Sequence, residues 1–464
     1  MTAADCVVRN ARIATATDLF TADIAIRDGR ISALGTDLPR GEEEIDATGM
    51  LVLPGGIDSH CHFDQQRESG AGFTDDFETA TTAAAFGGNT CVMGFVPQFK
   101  GHGIKDLVAD YHERGRKALI DYSVHMYIAD PSPAVVDDEL PGLMRAGHRS
   151  LKIFMAYASS MISDYQILKV LTVAKENGGL VVVHAENNDM IRWMTERLEK
   201  EGKTSTACHA LAKPAIVERE AVSRMIALAE LADQPIQIFH VSSAEVVEVI
   251  RDAQARGVKV YAETCPQYLA FTAADLDGAD GARYLCSPAL RSASDQDALW
   301  QAIRANVIGV VSSDHAPFRI DDSSGKGGGT HGLPFSKIPN GMPGIETRLP
   351  YLFSEGVGKG RISLQQFVAV TATNPAKLFG LYPRKGSIAV GMDADLTIWN
   401  PSLTRRVAYA NLHDRSGYSP FEGMTLTGWP IRTIVRGRTI TAGDMREGAP
   451  GWGKFLPREA FSAF

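Results

Sequence analysis

Three grains of apolar and polar residues follow one another along this chain of 464 residues. From 5 to 53 apolar residues tend to fall on alternate positions, as in Ala22-Asp23-Ile24-Ala25-Ile26. Asp28-Gly29 then turns the chain into Arg30-Ile31-Ser32-Ala33-Leu34, a predicted hairpin partner. Such a stretch buries little by itself and needs more strands. They are expected near the other end, at Gly386-Ser387-Ile388-Ala389-Val390, at 395–399 and at 431–435. Between the two ends, strand-length apolar runs alternate with amphipathic segments, which is the mark of repeated βα units. Strands are predicted over 90–96, 122–128, 150–156, 180–184, 236–240, 258–262 and 307–311. Helices are predicted over 104–119, 140–146, 165–176 and 244–256, and from Asn188 and Val217. A first helix is predicted with Asp75 as N-cap, Glu78 three residues on, and Gly87-Gly88 as its end.

About eight βα units fit between Gly55 and Gly380, so the expected class is α/β. The expected architecture is a (β/α)8 TIM-like barrel with a small β-sandwich domain built from both chain ends. The divisions are 1–54 and 381–440 for the sandwich, 55–380 for the barrel and 441–464 for a C-terminal tail. In that tail Trp452, Phe455 and Leu456 follow the last predicted strand, and its Pro and Gly argue against a helix. With no strand left to cover them, they are expected to make subunit contacts in a homo-oligomer. The alternative is a tail folded back over its own barrel.

Composition narrows the class without naming it. The chain is 44% hydrophobic and 22% charged, with a net charge of −8, which disfavours a nucleic-acid footprint or a polybasic membrane patch. No apolar window reaches the length of a membrane span, and the first residues lack a signal-peptide pattern. Six scattered cysteines read as free thiols in a reducing cytoplasm. Gly325-Lys326 is followed by Gly327 where a phosphate-binding loop needs Ser or Thr, so the 325–329 patch reads as a flexible loop.

The chemistry starts at Gly55-Gly56-Ile57-Asp58-Ser59-His60-Cys61-His62. On a strand His60 and His62 share one face with Cα atoms roughly 7 Å apart, a spacing at which two imidazoles can hold one metal ion. Further metal-compatible residues stand in or after apolar strands: Lys152, His184, His240 and Asp314. In a barrel all of these approach the face where βα loops begin. A core histidine satisfied by hydrogen bonds is the alternative for any single one, but a poor account of four together with Asp314. Lys152 keeps two readings open. Burial depresses a lysine's pKa, and the neutral amine can take up carbon dioxide as an anionic carbamate. Otherwise it reaches the surface or pairs with a carboxylate.

The chain resembles the dihydropyrimidinase/hydantoinase family of cyclic amidohydrolases, within the amidohydrolase superfamily, almost from end to end. The resemblance is carried by Gly55-Gly56-Ile57-Asp58 with the His-x-His, Asp75-Asp76-Phe77, Lys152-Ile153-Phe154-Met155-Ala156-Tyr157 and His184-Ala185-Glu186-Asn187. It continues through His240-Val241-Ser242, Glu263-Thr264-Cys265-Pro266, Cys286-Ser287-Pro288, Ser313-Asp314-His315 and Ile338-Pro339-Asn340-Gly341. It implies two Zn2+ per subunit bridged by N6-carboxylated Lys152, one held by His60, His62 and Asp314 and the other by His184 and His240. It also implies a bridging hydroxide as nucleophile, Asp314 as general base and proton carrier, and Tyr157 as donor to the oxyanion. Main-chain groups of Ser287 and Asn340 would hold the ring. The expected substrate is a dihydropyrimidine, a 5-substituted hydantoin or a related cyclic imide, and the expected assembly is a tetramer. The alternatives are an allantoinase- or dihydroorotase-like hydrolase, or a non-catalytic relative of the same fold.

Two features depart from the family pattern. Cys61 stands where a threonine is usual and should face away from the metals. The stretch after His62 (63–70) and Ala158-Ser159-Ser160-Met161 are small or polar where bulkier residues are common. Both shape the pocket for the ring substituent in this family, so an atypical substrate is expected.

Overall fold

The computed structural model describes residues 4–65, 72–329 and 332–464. The chain opens with β1 (Ala4–Ala14), β2 (Leu19–Arg27), β3 (Arg30–Gly35), β4 (Gly41–Asp46) and β5 (Leu51–Pro54). The barrel strands are β6 (Gly56–Asp58), β7 (Asn89–Pro97), β8 (Asp121–Tyr127), β9 (Ser150–Phe154), β10 (Leu180–His184), β11 (Ile236–Ile238), β12 (Val260–Thr264) and β13 (Val310–Val311). The chain then returns in β14 (Leu396–Arg406), β15 (Thr425–Val435), β16 (Arg438–Ala442) and β17 (Met445–Arg446).

Strands β6 to β13 lie side by side in sequence order and pair in parallel. A parallel bridge between Cys61 and His315, just beyond β6 and β13, joins the ends and closes the barrel. The run Leu180-Val181-Val182-Val183 is buried on both faces because a central parallel strand has a core on each side. Val181 and Val183 pack outward, while Leu180 and Val182 pack inward with Ile57, Met93, Phe95 and Phe239. Each such buried side chain contributes roughly 1.5–3 kcal/mol. Lys152 stands in register with Val182, so it too points into the barrel.

The two chain ends build one nine-stranded sheet, ordered β17-β16-β15-β14-β5-β1-β2-β3 with β4 beside β1. The predicted hairpin is present, with Ile24 opposite Leu34 and Ala25 opposite Ala33. Segment 386–390 is no strand, contrary to the alternation read there. It is a turn whose sequel reaches β3 through the Gly391 N–H to Ile31 O bond at 2.8 Å. The cap of the first barrel helix (Phe77–Phe86) is Asp76 and not Asp75, because Asp76 accepts the Thr79 N–H while Asp75 is turned onto His315. The 325–329 patch is no flexible loop: Lys326–Gly329 forms a buried 3-10 turn.

The sheet runs on to Arg446, inside the stretch assigned from sequence to the tail. The tail then folds over the bottom of its own barrel. Leu456 is fully buried among the barrel's inner apolar residues, and its N–H bonds Tyr122 O at 2.8 Å. Phe455 stacks on His148 with ring centroids 4.8 Å apart, and the Trp452 indole donates to Val435 O at 3.0 Å. These side chains pack on their own chain, as in the alternative of a tail folded back over its own barrel, with Trp452 and Phe455 only partly covered. Truncation after Asp444 should uncover the barrel floor and lower the melting temperature by about 5 °C or more. Differential scanning calorimetry checks this; unchanged melting would refute it.

Candidate active site

All nine residues singled out from the sequence line one cavity of about 520 Å³ at the C-terminal ends of the barrel strands. His60 and His62 follow β6, Lys152 lies within β9, His184 ends β10, His240 follows β11 and Asp314 follows β13. Tyr157, Ser287 and Asn340 come from loops above them. Three of these residues, Tyr157 (φ 66°), His240 (φ 42°) and Asp314 (φ 47°), hold left-handed backbone that side chains rarely adopt. Such strain is kept where surrounding packing enforces it and gathers at functional positions.

The histidines converge in two groups. His60 Nε2 and His62 Nε2 lie 3.0 and 3.4 Å from Asp314 Oδ1. One ligand atom from each of the three falls within 4.8 Å of the others. His184 Nδ1 and His240 Nε2 face each other at 2.9 Å. The outward nitrogens are fixed by acceptors: His60 Nδ1 donates to Glu263 at 2.7 Å, His62 Nδ1 to Gln65 at 2.9 Å, and His184 Nε2 to Glu186 at 2.8 Å. The buried Nδ1 of His240 has no partner among the described residues. Cys61 points away, its thiol donating to Met93 O at 3.3 Å, as expected of a non-ligand.

The electrostatics fit a cation. Burial opposes charge on His60, but Asp314 and Glu263 on either side outweigh it and lift its pKa to about 9. Burial also works against ionisation of Asp314, yet the charge of His60 and its hydrogen bond hold the carboxyl well below its usual range. Burial lowers His62 and His184, and pushes His240 far below the ordinary imidazole value. Four buried or half-buried imidazoles beside a carboxylate, three of them oriented by an acceptor on the outward nitrogen, are the donor chemistry of a divalent metal centre.

Lys152 neither reaches the surface nor pairs with a carboxylate. It is 1% exposed, and its ammonium has no hydrogen-bond or ion-pair partner among the described residues. Its Nζ sits 4.2 Å from the Phe239 ring centroid and 4.6 Å from that of Phe154. Burial brings its pKa down to about 7, so a large share is neutral amine near neutral pH.

Sequence reasoning missed the residues that hold this set in place. Glu263, which stands in the Glu263-Thr264-Cys265-Pro266 motif, lies 203 positions from His60. Lys213, in a helix-connecting stretch, is buried, pairs with Glu186 at 3.4 Å and bonds the Ser287 hydroxyl. No local signal marks either role, since each depends on a distant partner. Of the polar stretch after His62, residues 66–70 lie outside the described residues. Ser159 and Ser160 do line the cavity, together with Phe73, Phe154 and Phe318.

Glu263→Gln should weaken metal retention about 10- to 100-fold, because the amide no longer places a negative charge behind His60. Chelator titration of the purified protein measures it; an unchanged affinity would show that Glu263 only fills space.

Comparison with known proteins gives one answer. The amidohydrolase family profile matches residues 51–440. D-hydantoinase of Geobacillus stearothermophilus is 42% identical over 98% of this chain and 97% of its own length. D-phenylhydantoinase of Escherichia coli is 39% identical over 98% of each. The crystal structure of dihydropyrimidinase from Brevibacillus agri superposes with a TM-score of 0.95 at 41% identity, covering 99% of both chains.

Proposed function

Because the chain belongs to the dihydropyrimidinase/hydantoinase family and carries out metal-dependent hydrolysis of a cyclic amide, we propose a role for each residue of the cavity. His60, His62 and Asp314 would hold one divalent cation and His184 and His240 a second, with Lys152, carboxylated on Nζ, joining both. When bound, the two cations, zinc by the family's precedent, supply Lewis-acid activation of water and of the ring carbonyl. The chain's own residues do the rest. Asp314 takes the proton from the attacking water and passes it to the ring nitrogen as the C–N bond breaks, leaving the ring-opened acid. The Tyr157 hydroxyl donates to the carbonyl oxygen as negative charge develops there. Main-chain groups of Ser287 and Asn340 grip the amide edge of the ring. Phe154 and Phe318 limit water around it.

The observation that carries this reading is the meeting of nine chosen residues, from seven separate stretches of chain, in one cavity. Ser159 and Ser160 on its rim support a ring with a small or polar substituent. A hydrolysis panel tests both points: dihydrouracil, hydantoins with small, polar and aromatic 5-substituents in both configurations, allantoin, dihydroorotate and succinimide. Turnover of allantoin or dihydroorotate alone would overturn the substrate class.

We also place the enzyme in the cytoplasm, as a homo-oligomer and most simply a tetramer. No helix of the described residues is long and apolar enough to cross a membrane. Large apolar side chains stand exposed on barrel helices, among them Tyr165 on Asp164–Glu176, Trp193 on Asn188–Lys200 and Leu231 on Ala215–Ala232. These exposed side chains are the candidate contacts. Light scattering at micromolar concentration decides it, and a monomer would overturn the assignment.

A further inference from the structure

The glycine-rich turn that matches no phosphate-binding pattern sits directly behind the substrate wall. It is packed too tightly to be a loose loop. A Cβ on Gly327 would lie 2.7 Å from Ile320 O and one on Gly329 2.6 Å from the Ala282 Cβ, while one on Gly325 would strike Arg319 O. Only glycines let the turn come this close. It carries Lys326, which is fully buried. The Lys326 ammonium donates to Leu285 O at 2.7 Å and to Pro339 O at 2.8 Å. Leu285 lies two residues before Ser287, and Pro339 is the neighbour of Asn340. The same Leu285 carbonyl accepts the Gly341 N–H at 2.9 Å, and the 338–344 run continues to the barrel rim through the Ala316 N–H to Met342 O bond at 2.9 Å.

Stability alone does not account for this lysine. Among the described residues no carboxylate pairs with it, and burial lowers its pKa to about 7. An ammonium taken from water without a counter-charge costs more than an apolar side chain of similar size. What it provides is geometry. Whether charged or neutral, the amine keeps two N–H donors for two carbonyls on different segments.

We infer that Lys326 is a positioning residue for ring opening: it ties the segment carrying Ser287 to the segment carrying Asn340 and so fixes the width of the slot that grips the cyclic amide. This rests on the reading that these two residues hold the substrate. Lys326 touches no reacting atom, so its loss acts on substrate fit more than on the chemical step.

Lys326→Met keeps the volume and removes both donors. With the best substrate of the panel, KM is expected to rise about ten-fold or more, while kcat changes less than about three-fold and metal content matches the parent. Backbone amide exchange should quicken in 285–288 and 339–342 together. Lys326→Gln, with two N–H donors on a shorter arm, should recover part of the lost KM. A KM within about two-fold of the parent overturns the inference, as does a loss confined to melting temperature and metal content. If Lys326→Met does not fold, amide exchange of the parent with and without succinimide replaces it. Joint protection of both segments supports the clamp, and protection of one alone overturns it. A parent that opens no cyclic amide would instead refute the substrate reading itself, so the two failures are told apart.

Discussion

Lys152→Ala is expected to fold, to retain about half or less of the parent's metal, and to open no measurable amount of ring. The side chain lies inside the barrel, level with Val182, with aromatic rings around its Nζ and no anion paired to it. As an ammonium it would repel any cation held by His60, His62, His184 and His240. With its pKa brought down to about 7, the neutral amine can add to carbon dioxide. The ammonium first gives up a proton, an N–C bond then forms as a second proton leaves the nitrogen, and a cation has become an anion with two oxygens. Two divalent cations a few ångströms apart repel each other by on the order of 10 kcal/mol even when well screened, and an anion between them is what offsets that repulsion. Plasma emission on dialysed protein gives the metal content. Full retention with near-normal turnover would remove Lys152 from the centre. Fold loss is not expected, because alanine deletes a buried amine that makes no hydrogen bond within the described residues.

Asp314→Asn should keep the fold and most of the metal, and lose turnover by about 1,000-fold or more. The carboxylate is buried, held ionised by His60, and lies within 3.0 and 3.4 Å of two imidazoles. An amide of the same shape can still fill the site and offer one oxygen, so packing changes little. It can neither accept the proton of water nor return it to the leaving nitrogen, and that is where the loss arises. Steady-state kinetics on the best ring substrate measures it. A variant with more than about a tenth of the parent kcat would assign the proton transfers to another group. Paired with Lys152→Ala, the experiment separates metal retention from proton transfer.

Much of this is legible in the sequence. The alternation at 22–26 and 30–34 fixed a hairpin, and the four apolar residues Leu180 to Val183 leading into His184 fixed a central strand, because those patterns follow from the backbone itself. Other expectations went astray for reasons equally physical. Asp75 and Asp76 are both able to cap a helix, and the choice fell to Asp76 once His315, 240 residues away, took Asp75. Glycine clusters suggest flexibility when nothing touches them, and here Ile320, Ala282 and Arg319 do. Exposed-looking Leu456 turned out to plug the barrel floor.

The sequence by itself determined which side chains could serve the chemistry and on which strands they stand, because residue type and local periodicity carry that information. It also determined the barrel and the joining of both ends in one β domain, through the order of apolar runs. Only the tertiary structure decided which atom faces which. It paired His60 with Glu263, His184 with Glu186 and His240, and Ser287 with Lys213. It aimed Lys152 inward without a partner, and brought Lys326 behind the substrate wall. Most of these contacts join residues tens to hundreds of positions apart. Their partners are set by barrel closure and side-chain packing, which no local window of sequence encodes.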